Sequence, residues 1–481
     1  MKLNRIYLSN KTVINTISAF CLISPLQAKA NIFYYNNAPM GDRAIGLGGA
    51  FTGVADDASG VIFNPAGLGF AQGNSISASA NAYTSKKVTY RKIIGDDNFV
   101  EKSDGFFPSF IGSLKRLDNI WDGLVGAFAI YATDYEFQDQ DDYISESALA
   151  IKSFHRTVNK KSTVVHGAIA VGRRFGEFFS FGLGCGIQKL DVLEQEYQDV
   201  GQIISKTSLK INANALAKGE MYAAQTSNKR LKLNAWGVEP SFGMQTVLFE
   251  KLSLGLMLRK TIYFSQGLEF NGDATRFSRF ANGDIISESD LVSEGATAAQ
   301  LENKKWFATG KIEHKTPNNS YSTDGKAFHS EIEDPFLSGP MELRFGAALF
   351  ASTRLLIAGD VSHQFAVESH KSVALSRLAI TNYALGMEYY LTPGIPFRLG
   401  AFTNLDSRPK VETGKTGQAD HVDFYGLNSV ISWAQPASQI GVGASVQKGQ
   451  GKSQKLAGVK DIQNVDGFAW TALLSTTYYL N

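Results

Sequence analysis

The sequence predicts an all-β protein: a transmembrane antiparallel β-barrel of about 14 strands preceded by a glycine-rich N-terminal segment. Three observations predict it. Many short segments alternate apolar residues with small or polar ones at period two. The connections between them alternate short and long. A glycine-dense stretch at 41–69 precedes the first of them. The bulk properties agree. Of 481 residues only 19% are charged, 11% are aromatic and 46 are glycine, and the net charge is +2. So balanced a charge leaves no nucleic-acid footprint. Outside the N-terminal region no apolar run approaches the eighteen or so residues that a spanning helix needs.

The first element is a predicted secretory signal over residues 1–30. Lys2, Arg5 and Lys11 form its basic part, Val13 to Leu26 its apolar part, and Ala28-Lys29-Ala30 its cleavage site. Asn31 then begins the mature chain. Cys21 falls inside the signal, behind a Phe20 too bulky for a lipidation site, so Cys185 is the sole mature cysteine. It reads as a barrel-wall residue rather than a nucleophile.

The second element, 31–72, is a compact glycine-rich segment. Ile32, Phe33, Tyr34 and Tyr35 give it an apolar, aromatic start suited to filling a pocket from inside or to packing on the wall. Gly41 to Gly69 then carries eight glycines, Asp56-Asp57 and Asn64-Pro65-Ala66. That density is too high for a stable helix and suits turns that other backbone approaches closely. Asp56, Asp57 and Asn64 can close Asx-type turns, and Pro65 fixes φ. A glycine-rich soluble loop or a nucleotide-binding turn is the alternative. Gly46-Leu47-Gly48 lacks a GxGxxG completion and a following Lys-Ser/Thr pair. Gly46-Leu47-Gly48-Gly49-Ala50-Phe51, Ala55-Asp56-Asp57-Ala58 and Asn64-Pro65-Ala66-Gly67, in that order, resemble the N-terminal hatch of the FadL-type long-chain fatty acid transporters of the outer membrane. The resemblance spans about thirty residues and implies that 31–72 is an N-terminal hatch inside the barrel lumen, which it plugs. It also implies an extreme N-terminus that reaches the ligand pocket, for which Phe33 is the best-placed match, with Tyr35 beside it.

The third element is the barrel, 73–481. Its strands are expected near 73–91, 106–116, 121–133, 162–173, 178–190, 231–247, 252–265, 340–350, 354–367, 379–391, 396–406, 421–434, 438–448 and 467–481. Their alternation sends Leu183, Leu256, Phe345, Leu385 and Val442 one way, and Gly182, Gly255, Arg344, Gly386 and Gly443 the other. A soluble sandwich alternates likewise, but short turns on one rim facing long loops on the other mark an outer-membrane barrel. The two longest loops are expected at 191–230 and 266–339. An even strand count leaves both wall ends on the short-turn rim. Trp121, Tyr389, Trp433, Trp470, Tyr478 and Tyr479 fall near strand ends, where amphipathic rings favour the headgroup zone. The chain ends in Asn481 rather than the aromatic residue commonest in strands read by the barrel assembly machinery.

The candidate chemistry is that of binding. The seven histidines are scattered, without HExxH or paired cysteines, so the reading is no enzyme, no metal and no cofactor. Arg259, Arg344 and Arg398 are expected in the lumen, where they would meet a carboxylate head group or pair with Glu342, Asp360 and Glu388. Apolar residues in the two long loops would hold a hydrophobic ligand or pack together as a lid. The acidic run 134–142 is a solvated face or a divalent-cation site beside lipopolysaccharide. The resemblance further implies a kink in the third strand that opens the wall sideways, with Gly123 or Gly126 as the permissive residue. Together these imply passive uptake of fatty acids or aromatic hydrocarbons across a diderm outer membrane. The alternative is a barrel of the same type that docks secreted proteins, as in type 9 secretion, or acts as an adhesin.

Overall fold

The computed structural model describes residues 31–36, 40–94, 97–146, 151–204, 221–280, 314–315, 321–322, 328–333, 339–368, 376–415, 418–454 and 462–480. The expected signal at 1–30 and most of 281–338 lie outside them. The wall contains β1 (Asn74–Ile94), β2 (Asp97–Arg116), β3 (Leu124–Glu146), β4 (Ile151–Phe175), β5 (Phe179–Ile204), β6 (Met221–Leu248) and β7 (Leu252–Lys260). After a one-residue break at Thr261, β8 (Ile262–Phe280) carries the line of β7 outward. β9 (His314–Lys315) and β10 (Tyr321–Ser322) pair only with each other, and β11 (Phe328–Glu333) pairs with β8. The wall resumes with β12 (Met341–Phe350), β13 (Leu355–Gln364), β14 (Ile380–Thr392), β15 (Ile395–Asn404), β16 (His421–Gln435), β17 (Ser438–Ser453) and β18 (Gln463–Leu480).

Each neighbouring pair in the wall is antiparallel, β6 and β12 flank β7, and β1 pairs with β18. The result is a closed ring of fourteen, which leaves no edge at membrane depth. All fourteen expected segments are present. The alternation has the expected sense too. Leu183, Leu256, Phe345, Leu385 and Val442 face outward and exposed, whereas Met257, Arg344 and Glu388 face inward and buried. Cys185 faces outward on β5. Only lipid stabilises so continuous an exposed apolar band. Trp433 and Tyr478 mark its inner rim, and Trp470, in contact with Tyr83, marks its outer one.

Strand length departs from expectation. β3, β4, β5 and β6 run 23, 25, 26 and 28 residues, against 10 for β12, β13 and β15. A tilted strand crosses a bilayer in about 9–11 residues, so more than half of each long strand projects outside. Segments 134–161 and 191–230, read as loops, are therefore largely ladder. Apolar alternation fades there because the inward face is itself partly polar, with Arg156, Lys160, Ser162 and Gln198 buried on it. Opposite charges across strands take over. Basic residues on β1 (Lys86, Lys87, Arg91), β4 (Arg156, Lys160, Lys161) and β6 (Lys229, Arg230, Lys232) flank acidic ones on β2 (Glu101, Asp104), β3 (Glu136, Asp139, Asp141), β5 (Glu194, Glu196) and β8 (Glu269). Arg156 lies 2.5 Å from Glu196, and Lys160 lies 3.2 Å from Glu136.

The hatch fills the inner half of the lumen. Two single-turn helices, Asp42–Gly46 and Gly60–Phe63, and a 3₁₀ turn, Pro65–Phe70, are joined by tight turns in which Gly48 and Gly49 take φ of +66° and +87°. Asn64 caps the 3₁₀ turn by accepting from Ala66 N at 3.1 Å and ties it down by donating to Thr52 O and Met244 O. Ser180 donates to Ala66 O at 2.6 Å. Wall glycines on successive strands receive this backbone: Gly172, Gly182 and Gly243 meet 64–66, Gly255 and Gly346 meet Thr52, and Gly386 and Gly400 meet Leu47–Gly48. A methyl group at any of these seven would collide with the hatch. Ion pairs complete the seat. Arg43 bridges Asp56 (2.9 Å) and Glu388 (3.0 Å), and Arg398 contacts the same Glu388 at 2.6 Å. Asp42 accepts from Gln439 and Ser475.

Candidate functional site

The lumen above the hatch is crossed by the strap Asn31–Asn36. Its backbone is anchored to the far rim. Ser407 donates to Phe33 O from N (3.1 Å) and Oγ (2.8 Å), and Arg377 donates to Ile32 O at 3.2 Å. Asn36 N donates to Asn404 Oδ1 at 3.0 Å. The strap separates two unlike walls. Ile32 and Phe33 enter an apolar patch on the inner faces of β4, β5, β6 and β8, built from Val164, Leu190, Val192, Leu231, Leu233 and Leu268. Tyr34 turns the other way. Its hydroxyl donates towards Asp406 and Val422 O and accepts from Arg408, while its ring meets Phe424 edge-on at 5.8 Å. Burial pushes the Tyr34 hydroxyl well above the usual phenol range, so it remains a donor.

On the Tyr34 side lies a polar vestibule, two cavities that share Tyr34, Lys86, Ser103, Glu136 and Phe424. It reaches a lapse in the wall. The β2–β3 ladder runs from Arg116↔Val125 to Phe110↔Tyr131 and ends there, whereas β3 stays paired with β4 as far as Glu146. Beyond the lapse, among the described residues, side-chain bridges cross. Ser103 Oγ donates to Phe137 O at 2.7 Å, and Gln140 Nε2 to Val100 O at 2.6 Å. A bulge in β3 falls at the same level, between Ala132 and Asp134. It aims Thr133 at His166, Oγ1 to Nε2 3.0 Å, and His166 Nδ1 meets Glu239 at 2.7 Å.

Thr133 also borders a third cavity, between the hatch and the inner faces of β12–β16. Met40, Ala44, Ile62 and Phe63 form its apolar side. Tyr35, Arg259, Arg344, Asp360, Asn382 and Asn428 form its polar side. Glu342 holds both arginines, at 2.6 Å from Arg259 and 2.9 Å from Arg344. Asp360 Oδ2 accepts from Thr52 Oγ1 (2.5 Å) and Thr52 N (3.0 Å) of the hatch.

Tyr35, Arg259 and Arg344, expected to contact ligand, thus share one cavity. Phe33 lies apart from it, in the apolar patch. Arg398 does not line it. It is sealed beneath Gly46, 2% exposed, and is spent on Glu388 and Ser432. The hatch residues Gly46, Gly48, Gly49, Phe51, Asp56, Asp57, Asn64, Pro65, Ala66 and Gly67 all lie in the seated hatch, where Asp57 accepts from Ser59 N at 2.7 Å. The two glycines expected at the wall opening sit at the inner end of β3. Gly123, with φ +71°, serves the tight turn before β3, and Gly126 is paired on both sides, with Lys115 and Val171. The lapse begins beyond Tyr131. Asn382, Asn428 and Thr133 escaped the sequence reading. Inward asparagines carry no spacing signal, and a bulge residue looks like any other strand residue.

No family model matches the sequence, and no curated protein matches it. Solved structures do match. A Pseudomonas aeruginosa FadL homologue aligns over 91% of this chain and 98% of its own at 12% identity, with a TM-score of 0.53. The P. putida toluene transporter TodX aligns over 92% and 99% at 13% identity (TM-score 0.54). The Ralstonia pickettii toluene transporter TbuX aligns over 93% and 100% at 13% identity (TM-score 0.53). The chain therefore has the FadL-type fold, a hatch-bearing barrel over its whole described length.

Proposed function

We propose that this barrel carries hydrophobic compounds passively across the outer membrane, and that it moves them past the strap rather than through an open pore. One observation carries the reading. The inner face of a water-filled barrel is ordinarily polar, yet β4, β5, β6 and β8 build an apolar patch there and the chain's own Ile32 and Phe33 occupy it. A fatty acid or an aromatic hydrocarbon fits where those side chains sit. Burying one Phe side chain stabilises by roughly 1.5–3 kcal/mol, and each ligand CH₂ by about 0.8 kcal/mol. A few methylenes thus suffice to displace the strap. The resemblance of the hatch and the FadL-type fold support the same reading, since the structural neighbours named above include toluene transporters.

In this scheme the outer ends of the strands and the loops beyond them capture the ligand. It enters beside the strap and leaves through the β2–β3 lapse into the membrane, or inward after the hatch rearranges around Asn64-Pro65-Ala66. Native mass spectrometry of protein extracted in mild detergent tests this. Bound fatty acid or hydrocarbon is expected in the wild type and more of it in Phe33→Ala, whose patch is vacated. An empty barrel in both would sink the reading.

The projecting ladder of β3–β6 favours a second reading. It exposes Tyr135, Phe137, Tyr143 and Tyr197 outside the membrane band, a surface suited to docking a secreted protein. Retention of a defined protein on the purified barrel, lost when the ladder is shortened while ligand uptake persists, would select it.

A further inference from the structure

We infer that the cavity between hatch and wall selects neutral, hydroxyl-bearing hydrophobes, such as alcohols or phenols, over carboxylates and plain hydrocarbons. The inference rests on the transport reading and narrows its substrate class.

The first argument is charge. Arg259 and Arg344 line the cavity, but both are held by Glu342, and Asp360 adds a second carboxylate to the same wall. Two positive and two negative charges cancel. A ligand carboxylate would bring an unmatched negative charge into a site already balanced, and that is costly away from water. Inward arginines alone suggest an acid-binding site. Their shared glutamate removes that suggestion.

The second argument is hydrogen bonding. Asn428 is 2% exposed. Its Nδ2 donates to Ile45 O at 2.9 Å, which fixes the amide orientation and leaves Oδ1 as an acceptor without a partner. Asn382 is 1% exposed. Its Oδ1 accepts from Leu405 N and from Thr403 Oγ1, both at 3.0 Å, which leaves Nδ2 as a donor without a partner. Both residues line the cavity. Buried polar groups are ordinarily satisfied. A hydroxyl can donate to Asn428 Oδ1. A carboxylate can only accept, and a hydrocarbon can do neither. Phe63, Ile62 and Met40 on the facing side would cover the apolar body of the ligand.

The test uses the full-length mature protein in a non-ionic detergent at neutral pH, with 1-decanol, decanoate and decane as matched probes in calorimetric titration. Decanol is expected to bind about tenfold or more tightly than either of the others, the worth of one well-made hydrogen bond. Asn428→Leu should narrow the decanol–decane gap. Glu342→Gln, which leaves the cavity wall one charge positive, should raise the decanoate-to-decanol affinity ratio. Decanoate binding as tightly as decanol to the wild type overturns the charge argument. Decane doing so overturns the hydrogen-bond argument, because water would then be satisfying the two amides. Saturable decane or decanoate binding with weak decanol binding therefore defeats this inference while transport stands. Binding of none of the three defeats both.

Discussion

One N-terminal segment fills the lumen at two levels in two different ways. The hatch is seated backbone against backbone on seven wall glycines and is fastened by Arg43, Arg398 and Glu388 at 2.6–3.0 Å. The strap is held by a handful of hydrogen bonds and two apolar side chains. Wall glycines allow no slack, because any motion of the hatch separates close-packed backbone from many strands together. The strap can yield one side chain at a time. The difference teaches that the permeability seal and a ligand gate need not be the same part; in the function proposed above the gate is the strap.

Four experiments break or sharpen that contrast. The largest effect should come from Glu388→Ala, which leaves Arg43 and Arg398 short of their shared partner. Loss of a buried ionic partner costs about 3–5 kcal/mol. We expect lower thermal stability and a rise in single-channel ion leak in planar bilayers. An unchanged leak would mean the hatch does not depend on this cluster. Phe33→Ala should remove roughly 1.5–3 kcal/mol of strap burial, a change of about 10–100-fold in competition with ligand. Ligand affinity should rise with no change in leak, and a new leak would erase the distinction between seal and gate.

The third experiment concerns pH. Burial, with the neighbouring Asp56 adding to it, pushes the hatch carboxyl of Asp57 up to about 6, against about 4 for an ordinary aspartate. Between those values the seated hatch holds a proton that the unfolded chain has released. Its contribution is therefore full below about pH 4, declines as pH rises, and is gone above about 6. Relative to Asp57→Asn, the wild-type hatch should lose amide-exchange protection across that window, and parallel profiles would contradict it. The smallest effect is expected from Ser407→Ala, which removes one donor to Phe33 O at a cost of about 1 kcal/mol. Exchange at the strap should quicken while the hatch is unaffected.

Inside the membrane band the fold was legible. Leu385 and Gly386, or Phe345 and Arg344, face opposite solvents, and that opposition is written at period two. Outside the band it was not, because both faces there carry polar and charged residues, so the outer ends of β5 and β6 looked like loops. The site was half legible. Arg344 and Arg398 are both inward arginines on neighbouring parts of the wall, and only the docked hatch decides that one borders a cavity and the other is sealed. Wall glycines such as Gly182 and Gly400 were visible as small residues, but what they face depends on a segment more than a hundred residues earlier. Thr133 becomes special only through a bulge, which no pattern of residue types announces.

The distribution of the hatch contacts bears on biogenesis. Hatch residues touch Gly172 on β4, Gly243 on β6, Gly346 on β12, Gly400 on β15 and Ser475 on β18. Synthesised first, the hatch has no complete binding surface until the last strand is in place. Its docking therefore cannot be complete before β18 is in place. A barrel that closed around an empty lumen would have to admit the hatch through an already finished rim, so insertion into the membrane and plugging must share one schedule.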